Sequence, residues 1–551
     1  MCAANVHQDH AGWGDAVTNA GIERDVRMMK EAGFNFIRGS HYPHDPAFSA
    51  ACDRLGVLLW SENALWGIGG FGPDGYWDSS AYPPDPGDRP AFEASVEQQL
   101  REMIRTHRNH PSIITWSLGN EAFFTELRSI PAMAEFLSRL TKLARELDPT
   151  RPVAIGGVQR PLDKQRIDRI ADIAGYNGDG ASISQFRDPG VPNMVSEYGS
   201  TTADRPGEYS PGWGDLKRDG GQAVHPWRSG QAVWCGFDHG SIAGPKLGKM
   251  GLVDYFRLPK RAWYWYRNEY RHIAPPNWPE QGVPAKLKLS ADKTAGIQSD
   301  GTDDTQLIVT VLDANDRPIS NAPDVELKVV RGPGEFPTGP SISFSQHSDI
   351  RIADGQAAIE FRSYSAGRTT IRAESPGLQS AEIDLQFDGA VAYEEGVTPP
   401  VQPRPYTRFR REHHAELRTF GRNNPVFVSS SLRNHPAGFA SDGDAQSFWE
   451  PDDDDPTPML TLAMEKFVRV SAIKIDFAQA ALHRYSVEVS DDQKTWKTVA
   501  DLTKNETSEK RREVVTAPDT RACFVRLRFV GEKQAARPRV ADIQVVGAVL
   551  E

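Results

Sequence analysis

The 551-residue sequence predicts a (β/α)8 barrel followed by two β-sandwiches. Three observations carry that prediction. Up to about residue 272, short apolar runs alternate with amphipathic segments of period 3.6. The proline-rich stretch Ala274-Pro-Pro-Asn-Trp-Pro279 ends the alternation, and only short alternating strands follow it. Two of the early apolar runs, Ser112–Glu121 and Val191–Glu197, stop on an acidic residue, as barrel strands do at a catalytic mouth.

Taken in order, buried strands are expected near Ala3–Val6, Phe34–Ile37, Val57–Trp60, Ile113–Trp116, Pro152–Ile155, Asp172–Ala174, Met194–Ser196 and Ala232–Trp234. Helical stripes run through Ile22, Val26 and Met29, through Val96, Leu100 and Met103, and through Phe136, Leu140, Leu143 and Leu147. Pro149 and Pro152 stop the third stripe. A doubly wound open sheet is the alternative, and no glycine-rich phosphate loop follows the first strand to support it. The barrel is assigned to residues 1–273. A β-sandwich follows over 280–390, with strands such as Leu307–Val311, Val325–Val329 and Ala357–Phe361. A second proline-rich stretch, Thr398–Pro405, leads into a β-rich module over 406–551, marked by Ile473–Ile475, Tyr485–Val489, Cys523–Phe529 and Ile543–Val546. No internal repeat relates the parts. Asp452–Asp455 reads as an exposed loop, with a cation site as the alternative.

Composition is that of a globular chain, 39% apolar and 25% charged. A net charge of −11 with no basic stripe argues against a nucleic-acid partner or an anionic membrane surface. Arg408–Arg411 and Lys510–Arg512 read as solvated faces. No run reaches the roughly 18 apolar residues of a membrane span. Cys2, Cys52, Cys235 and Cys523 lie far apart without metal-ligand spacing and read as buried thiols. Met1–Val6 already reads as a strand, so localisation is not legible from a leader.

Glu121 and Glu197 end the fourth and seventh predicted strands, and in a barrel such ends converge on one mouth. Paired carboxylates there suit glycoside hydrolysis: about 5–5.5 Å apart for retention, about 6.5–9.5 Å for inversion. Arg38-Gly-Ser-His41 follows the second strand, and Glu62-Asn63 the third. A guanidinium beside Glu197 would keep it ionised, while a drier setting would keep Glu121 protonated. The blander alternatives are a helix-capping Glu121, an Arg38 in a structural ion pair and a His41 satisfied in the core. Trp60, Trp66, Trp77, Trp213, Trp227 and Trp234 lie near predicted strand ends or long loops, where aromatic faces can stack on sugars or fill the core.

The ordered runs H-Q-D-H-A-G-W-G-D-A-V, R-G-S-H-Y-P, C-D-R-L-G-V-L-L-W-S-E, W-S-L-G-N-E and V-S-E-Y-G resemble glycoside hydrolase family 2, the β-galactosidase and β-glucuronidase family, over residues 1–272. The resemblance implies a retaining exo-β-glycosidase on a TIM barrel. It casts Glu121 as general acid/base, Glu197 as nucleophile and Asn120 as a ligand of the sugar 2-hydroxyl. His41 and Glu62 would contact sugar hydroxyls, Arg38 would support Glu197, and Trp234 would floor the pocket. The resemblance implies a jelly-roll and an immunoglobulin-like domain ahead of the barrel, and the sequence is read as starting at the barrel itself, which would leave the sugar pocket without residues the jelly-roll often lends. The tyrosine expected after Asn177 is replaced by Gly178, with Tyr176 as a candidate substitute. Within the resemblance, W-S-L-G-N-E favours the galactosidase and glucuronidase branches over the mannosidase branch, and the lack of a clear Asn-Lys pair for a sugar carboxylate tips the reading to a β-galactosidase. A β-glucuronidase or another β-glycosidase of the family is the near alternative, and an inactive carbohydrate-binding fragment the distant one.

The middle domain resembles the immunoglobulin-like sandwiches of this family. The last resembles a discoidin or coagulation-factor module through S-D-G-D-A-Q-S-F-W449, Y-S-V-E-V-S-D-D-Q-K-T-W496, F-V-R-L-R-F and A-D-I-Q-V-V-G547. That second resemblance implies carbohydrate binding or an architectural role, and a structural calcium at Asp444, Ser447 and Asp542. No cofactor is expected for the chemistry. The expected partner is a glycoside or oligosaccharide, a homo-oligomer is left open, and a periplasmic or secreted setting is favoured by the resemblance.

Overall fold

In the computed structural model, residues 1–65, 68–71, 77–125, 129–159, 166–178, 186, 189–199, 204–209, 228–240, 249–345, 350–404, 417–422, 424, 426–530 and 536–550 are described. Trp66, Trp213, Trp227 and the basic run Arg408–Arg411 fall outside them.

Eight parallel strands close into a barrel: β1 (Cys2–Val6), β2 (Phe36–Gly39), β3 (Leu58–Glu62), β4 (Ile113–Asn120), β5 (Val153–Gly156), β6 (Ile173–Asn177), β7 (Asn193–Gly199) and β8 (Gln231–Trp234). Each pairs with its sequence neighbours, and β8 returns to β1 with Gln231 opposite Cys2. All eight predicted strands are present, and several run two to four residues further than the apolar pattern alone suggested. The extensions carry the polar residues that matter: Arg38, Glu62, Asn120, Asn177 and Glu197 belong to strands, not to loops.

Helices α1 (Asn19–Glu31), α2 (Pro46–Leu55), α3 (Arg89–His107), α4 (Ile130–Leu147) and α5 (Arg261–Arg271) surround the barrel. Local chemistry sets their ends. Asp45 caps α2 by accepting from the Ala47 amide at 2.8 Å, Pro46 occupies its first turn, and Gly56 closes it in the left-handed conformation. The stripes Ile22, Val26, Met29, then Leu100, Met103, then Phe136, Leu140 all pack against the outward faces of the strands. Inside the barrel, Ala3, Phe36, Trp60, Ala154, Met194 and Ala232 form an apolar layer that plugs it. The polar strand ends sit one step above that plug, which keeps the site on a rigid floor.

A two-sheet sandwich follows, with three strands in one sheet and five in the other. Leu307, Val309, Val311, Leu327 and Phe361 fill its core, and Ala11 and Tyr255 of the barrel join it. Buried charges cross this boundary. Arg24 pairs with Asp292, Asp304 and Glu360, and His10 bridges Asp25 and Glu360. The third core surrounds Trp449, Ile473 and Val487 in an antiparallel unit built on the long strand Met459–Leu482. Among the described residues, no helix is long and apolar enough to cross a membrane.

Candidate active site

Strand alternation decides which side chains enter the mouth. Asn5, Arg38, Glu62, Asn177 and Ser196 share the inward face, and Asn120, Glu121, Glu197 and Trp234 complete the rim. Arg38 lies at the centre, fully buried. Its guanidinium donates to both oxygens of Glu62 at 3.0 Å, to Asn5 Oδ1 at 3.0 Å, to Asn120 Oδ1 at 2.8 Å and to Glu197 Oε2 at 3.2 Å. Both alternatives weighed for Arg38 therefore hold: it is a structural ion pair and it touches Glu197. The cavity for it is made by β5, because a Cβ on Gly156 would stand 2.4 Å from Arg38 Nη2.

Glu121 and Glu197 meet at one amide. Asn177 Nδ2 is 3.1 Å from Glu121 Oε1, 3.1 Å from Glu197 Oε2 and 3.1 Å from Asn120 Oδ1. The two carboxylate oxygens are thus no further apart than twice that distance. Glu121 holds its place with a left-handed backbone, φ 49°, a conformation a non-glycine residue adopts only where its surroundings enforce it. Glu197 is buried beneath it, and burial together with the charge of Glu121 raises its carboxyl well above the usual range, against the opposing pull of Arg38. The expectation that a guanidinium beside Glu197 would keep it ionised is therefore met in sign and outweighed in size. The drier setting expected around Glu121 belongs instead to Glu197, which is buried where Glu121 is only half-buried.

Two residues expected at the sugar are placed elsewhere. Tyr176 lies on the outward face of β6, buried against Phe186 with its hydroxyl donating to Asp168 at 2.9 Å; its alternation with Asn177 sends it away from the mouth. Glu62 is fully buried, and its oxygens accept from Arg38, His41, Trp60 and Ser117, which leaves no lone pair turned to a ligand. Burial would raise Glu62, yet the Arg38 charge and the hydrogen bonds from His41 and Ser117 bring it down to about 2. Its position makes it the anchor of Arg38 and His41.

Around Trp234 a histidine wall appears that sequence reading had only in part. His41 stacks on Trp234 at 5.0 Å, His7 meets both rings edge-on, and His239 stacks on His7 at 4.5 Å. Burial, then the neighbouring imidazoles and Arg38, hold His7 well below its ordinary range; burial and the His41 charge bring His239 to about 4. All are neutral at pH 7 as a result. Among the described residues, His7 Nε2, His239 Nε2 and Ser40 Oγ are buried without a hydrogen-bond partner. His7 stood in the first motif, and its position one residue past β1 was the available signal; His239, five residues past Trp234, had none. Trp60 packs in the barrel plug, whereas Trp234 is brought to this rim; the side chain of Trp77 lies outside the described residues. Two open grooves on the sandwich, of about 720 and 690 Å³, take no residue of the barrel.

In the last module, Asp444 and Ser447 share a turn built on Asp442. Ser447 Oγ lies 2.8 and 2.7 Å from the two Asp442 oxygens, and the Asp444 amide donates to Asp442 at 2.9 Å. Asp542 lies on the neighbouring strand Val540–Val549, raised by burial and by the charges of Asp476 and Asp442, with the Gln544 hydrogen bond opposing. The donors are all oxygen, which suits a hard cation. Among the described residues no group of three or more His, Cys, Asp or Glu side chains is placed to hold a metal.

A closed barrel with a plugged interior and two facing carboxylates at its strand ends defines a class of catalytic barrel. Comparison with known proteins narrows it. Residues 2–217 match the family model for the TIM barrel domain of glycosyl hydrolases family 2, and residues 426–541 match that of the F5/8 type C domain. The barrel is a family 2 glycosyl hydrolase barrel, and the last module is an F5/8 type C domain. A β-glucuronidase of Bacteroides fragilis is 30% identical over 299 residues, 49% of this chain and 41% of that protein. A β-galactosidase of Thermoanaerobacterium thermosulfurigenes is 28% identical over 285 residues, 48% of this chain and 36% of that protein. The chain thus spans less than half the length of either relative. A family 2 member from Bacteroides cellulosilyticus has the same fold, with a TM-score of 0.56 at 19% identity over 70% of this chain and 62% of that one.

Proposed function

We propose that this chain is a retaining exo-β-glycosidase, with a terminal β-galactosyl residue as its substrate. The observation that carries the mechanism is the single Asn177 amide within 3.1 Å of both Glu121 and Glu197. One oxygen of each carboxylate thus lies within twice that distance of the other, which supports the close spacing of retaining enzymes, about 5–5.5 Å between carboxyl groups. Glu197, deeper and contacted by Arg38, attacks the anomeric carbon as the glycosidic C–O bond breaks. Glu121, nearer the opening, passes its proton to the leaving oxygen and then takes one from water as that water releases the sugar. Among the described residues, His7 Nε2 and His239 Nε2 have no protein partner and are the candidate hydroxyl contacts beside Trp234, whose face already stacks on His41. The galactosyl reading rests on the guanidinium nearest Glu197, that of Arg38, being fully engaged by protein groups, which leaves it no donor for a sugar carboxylate. A β-glucuronidase is the second reading, favoured by the identity to the B. fragilis enzyme.

Glu121→Ala tests the assignment on paired aryl β-galactoside and β-glucuronide substrates. The expected result is a loss of about 10²–10⁴-fold, recovered by azide on an activated leaving group. Unchanged turnover, or no azide rescue, contradicts the role of Glu121. Faster wild-type turnover of the glucuronide moves the substrate to the second reading. The calcium of the last module is likewise a proposal, resting on the match to the F5/8 type C domain and on the oxygen side chains Asp444, Ser447 and Asp542, and not on a preformed cluster of carboxylates. Chelation should then lower the melting temperature of that module and added calcium restore it; an unchanged melt removes the ion.

A further inference from the structure

We propose that Asn177 is the positioning residue that couples the two carboxylates, donating to whichever of Glu121 and Glu197 carries the negative charge at each step. The proposal rests on the two-carboxylate reading above and adds to it a neutral group that contacts both carboxylates.

The orientation of the amide is set by a chain of hydrogen bonds. The Gly157 amide donates to Ser196 Oγ at 3.3 Å, and Ser196 Oγ lies 2.7 Å from Asn177 Oδ1. Asn177 Oδ1 can only accept, so the single hydroxyl proton of Ser196 goes to it. That turns Nδ2 toward the carboxylates. The residue is buried, and its backbone amide is held by Gln159 Oε1 at 3.0 Å. Nδ2 has two protons and three acceptors, Asn120 Oδ1, Glu121 Oε1 and Glu197 Oε2, all at 3.1 Å. Arg38, by contrast, donates to Glu197 and makes no hydrogen bond to Glu121.

The chemistry gives this geometry its use. Before attack Glu197 is the anion and Glu121 holds the proton. As the Glu197 oxygen bonds to the anomeric carbon, Glu197 becomes a neutral ester and Glu121, having given its proton to the leaving oxygen, becomes the anion. Water then donates its proton to Glu121 and its oxygen to the anomeric carbon, and Glu197 leaves as carboxylate. Negative charge crosses from one carboxylate to the other and back. A donor equidistant from both follows it without moving, which is what preorganised stabilisation requires. Hydrogen bonds to charged groups are the strong ones, so the contribution is expected to be large.

The test uses the full chain with Asn177→Ala, Asn177→Asp and Ser196→Ala. For an aryl β-glycoside, Asn177→Ala should lower kcat about 10- to 100-fold with KM little changed, and move the acid limb of the pH profile upward. Asn177→Asp, near in shape but a third carboxylate, should be worse than Ala. Ser196→Ala, which frees the amide to flip, should fall between Ala and wild type. Asn177→Asp with wild-type kcat and pH limbs overturns the proposal, because packing alone would tolerate it. A second readout needs no turnover. The Asn177 N–H stabilises ionised carboxylates in the fold, so its removal should depress the melting temperature more at pH 8 than at pH 4. A pH-independent deficit overturns the proposal. If Asn177→Ala does not fold, Ser196→Ala decides by the same measurements. Wild-type protein that turns over no glycoside yet shows the pH-dependent deficit in Asn177→Ala would sink the glycosidase reading and leave the coupling standing.

Discussion

Glu197 carries an energetic cost that its chemistry explains. Its carboxyl is raised by burial and by Glu121, so the folded protein binds a proton more readily there than the unfolded chain does. For a raised carboxyl, stability is lost as pH climbs from the ordinary value near ~4.3 through the folded one. Glu197→Gln removes that penalty. It should abolish turnover, on the order of 10⁴-fold or more, while raising the melting temperature at pH 7, with the gain vanishing below about pH 4. Equal melting temperatures across that range would show that burial does not strain this carboxyl. The same raised value places the acid limb of activity above the usual carboxylate range, since protonated Glu197 cannot attack.

At the scale of elements, the strand ends of β5 and β6 shape the site as much as its charged residues do. Gly156 makes room for the Arg38 guanidinium, and Gly157, at φ +60°, would set a Cβ 2.7 Å from Glu121 Cγ. Gly157→Ala would be strained by both effects, and Gly156→Ala by the contact alone. Each should cost activity at least tenfold with the barrel still folded, measurable as a fall in kcat beside an unchanged far-UV spectrum; wild-type kcat in Gly156→Ala would mean that Arg38 has slack. The apolar runs of the eight strands were legible because buried parallel strands need them, and Glu121 and Glu197 were legible because each ends such a run. What lay beyond reading was the partnership of polar residues from different strands. Glu62 looked like a sugar ligand in sequence, yet β2, β3 and β4 converge to use up its oxygens. Tyr176 failed on a single step of alternation, with its neighbour Asn177 taking the inward face.

Across the whole molecule, the barrel and the sandwich are joined by buried charge. Burial would raise Glu360, but His10 and Arg24 hold it near 2; burial and Arg257 oppose the charge on His10, and Glu360 and Asp25 outweigh them to raise it. The lowered Glu360 adds stability above the ordinary carboxylate range, lost as pH falls toward 2. The raised His10 adds stability below ~6.5, lost as pH rises through its folded value. Glu360→Gln should therefore destabilise by about 3–5 kcal/mol, most strongly between about pH 4.5 and 6.5. A melting-temperature gap that stays constant from pH 3 to 9 would show that this interface is not linked to protons. His10 lies on the segment that leaves β1 through His7, so the sandwich braces the wall that carries the histidines of the site.

The central claim is that Glu197 forms a bond to sugar while Glu121 handles the proton. Intact mass after incubation with an activated 2-deoxy-2-fluoro-β-galactoside, followed by peptide mapping, tests it most directly. The slowed intermediate should appear as one adduct per chain, on the peptide holding Glu197, and be absent from Glu197→Gln. An adduct on another carboxylate, or none from the galactosyl, glucuronyl and glucosyl reagents alike, would contradict it.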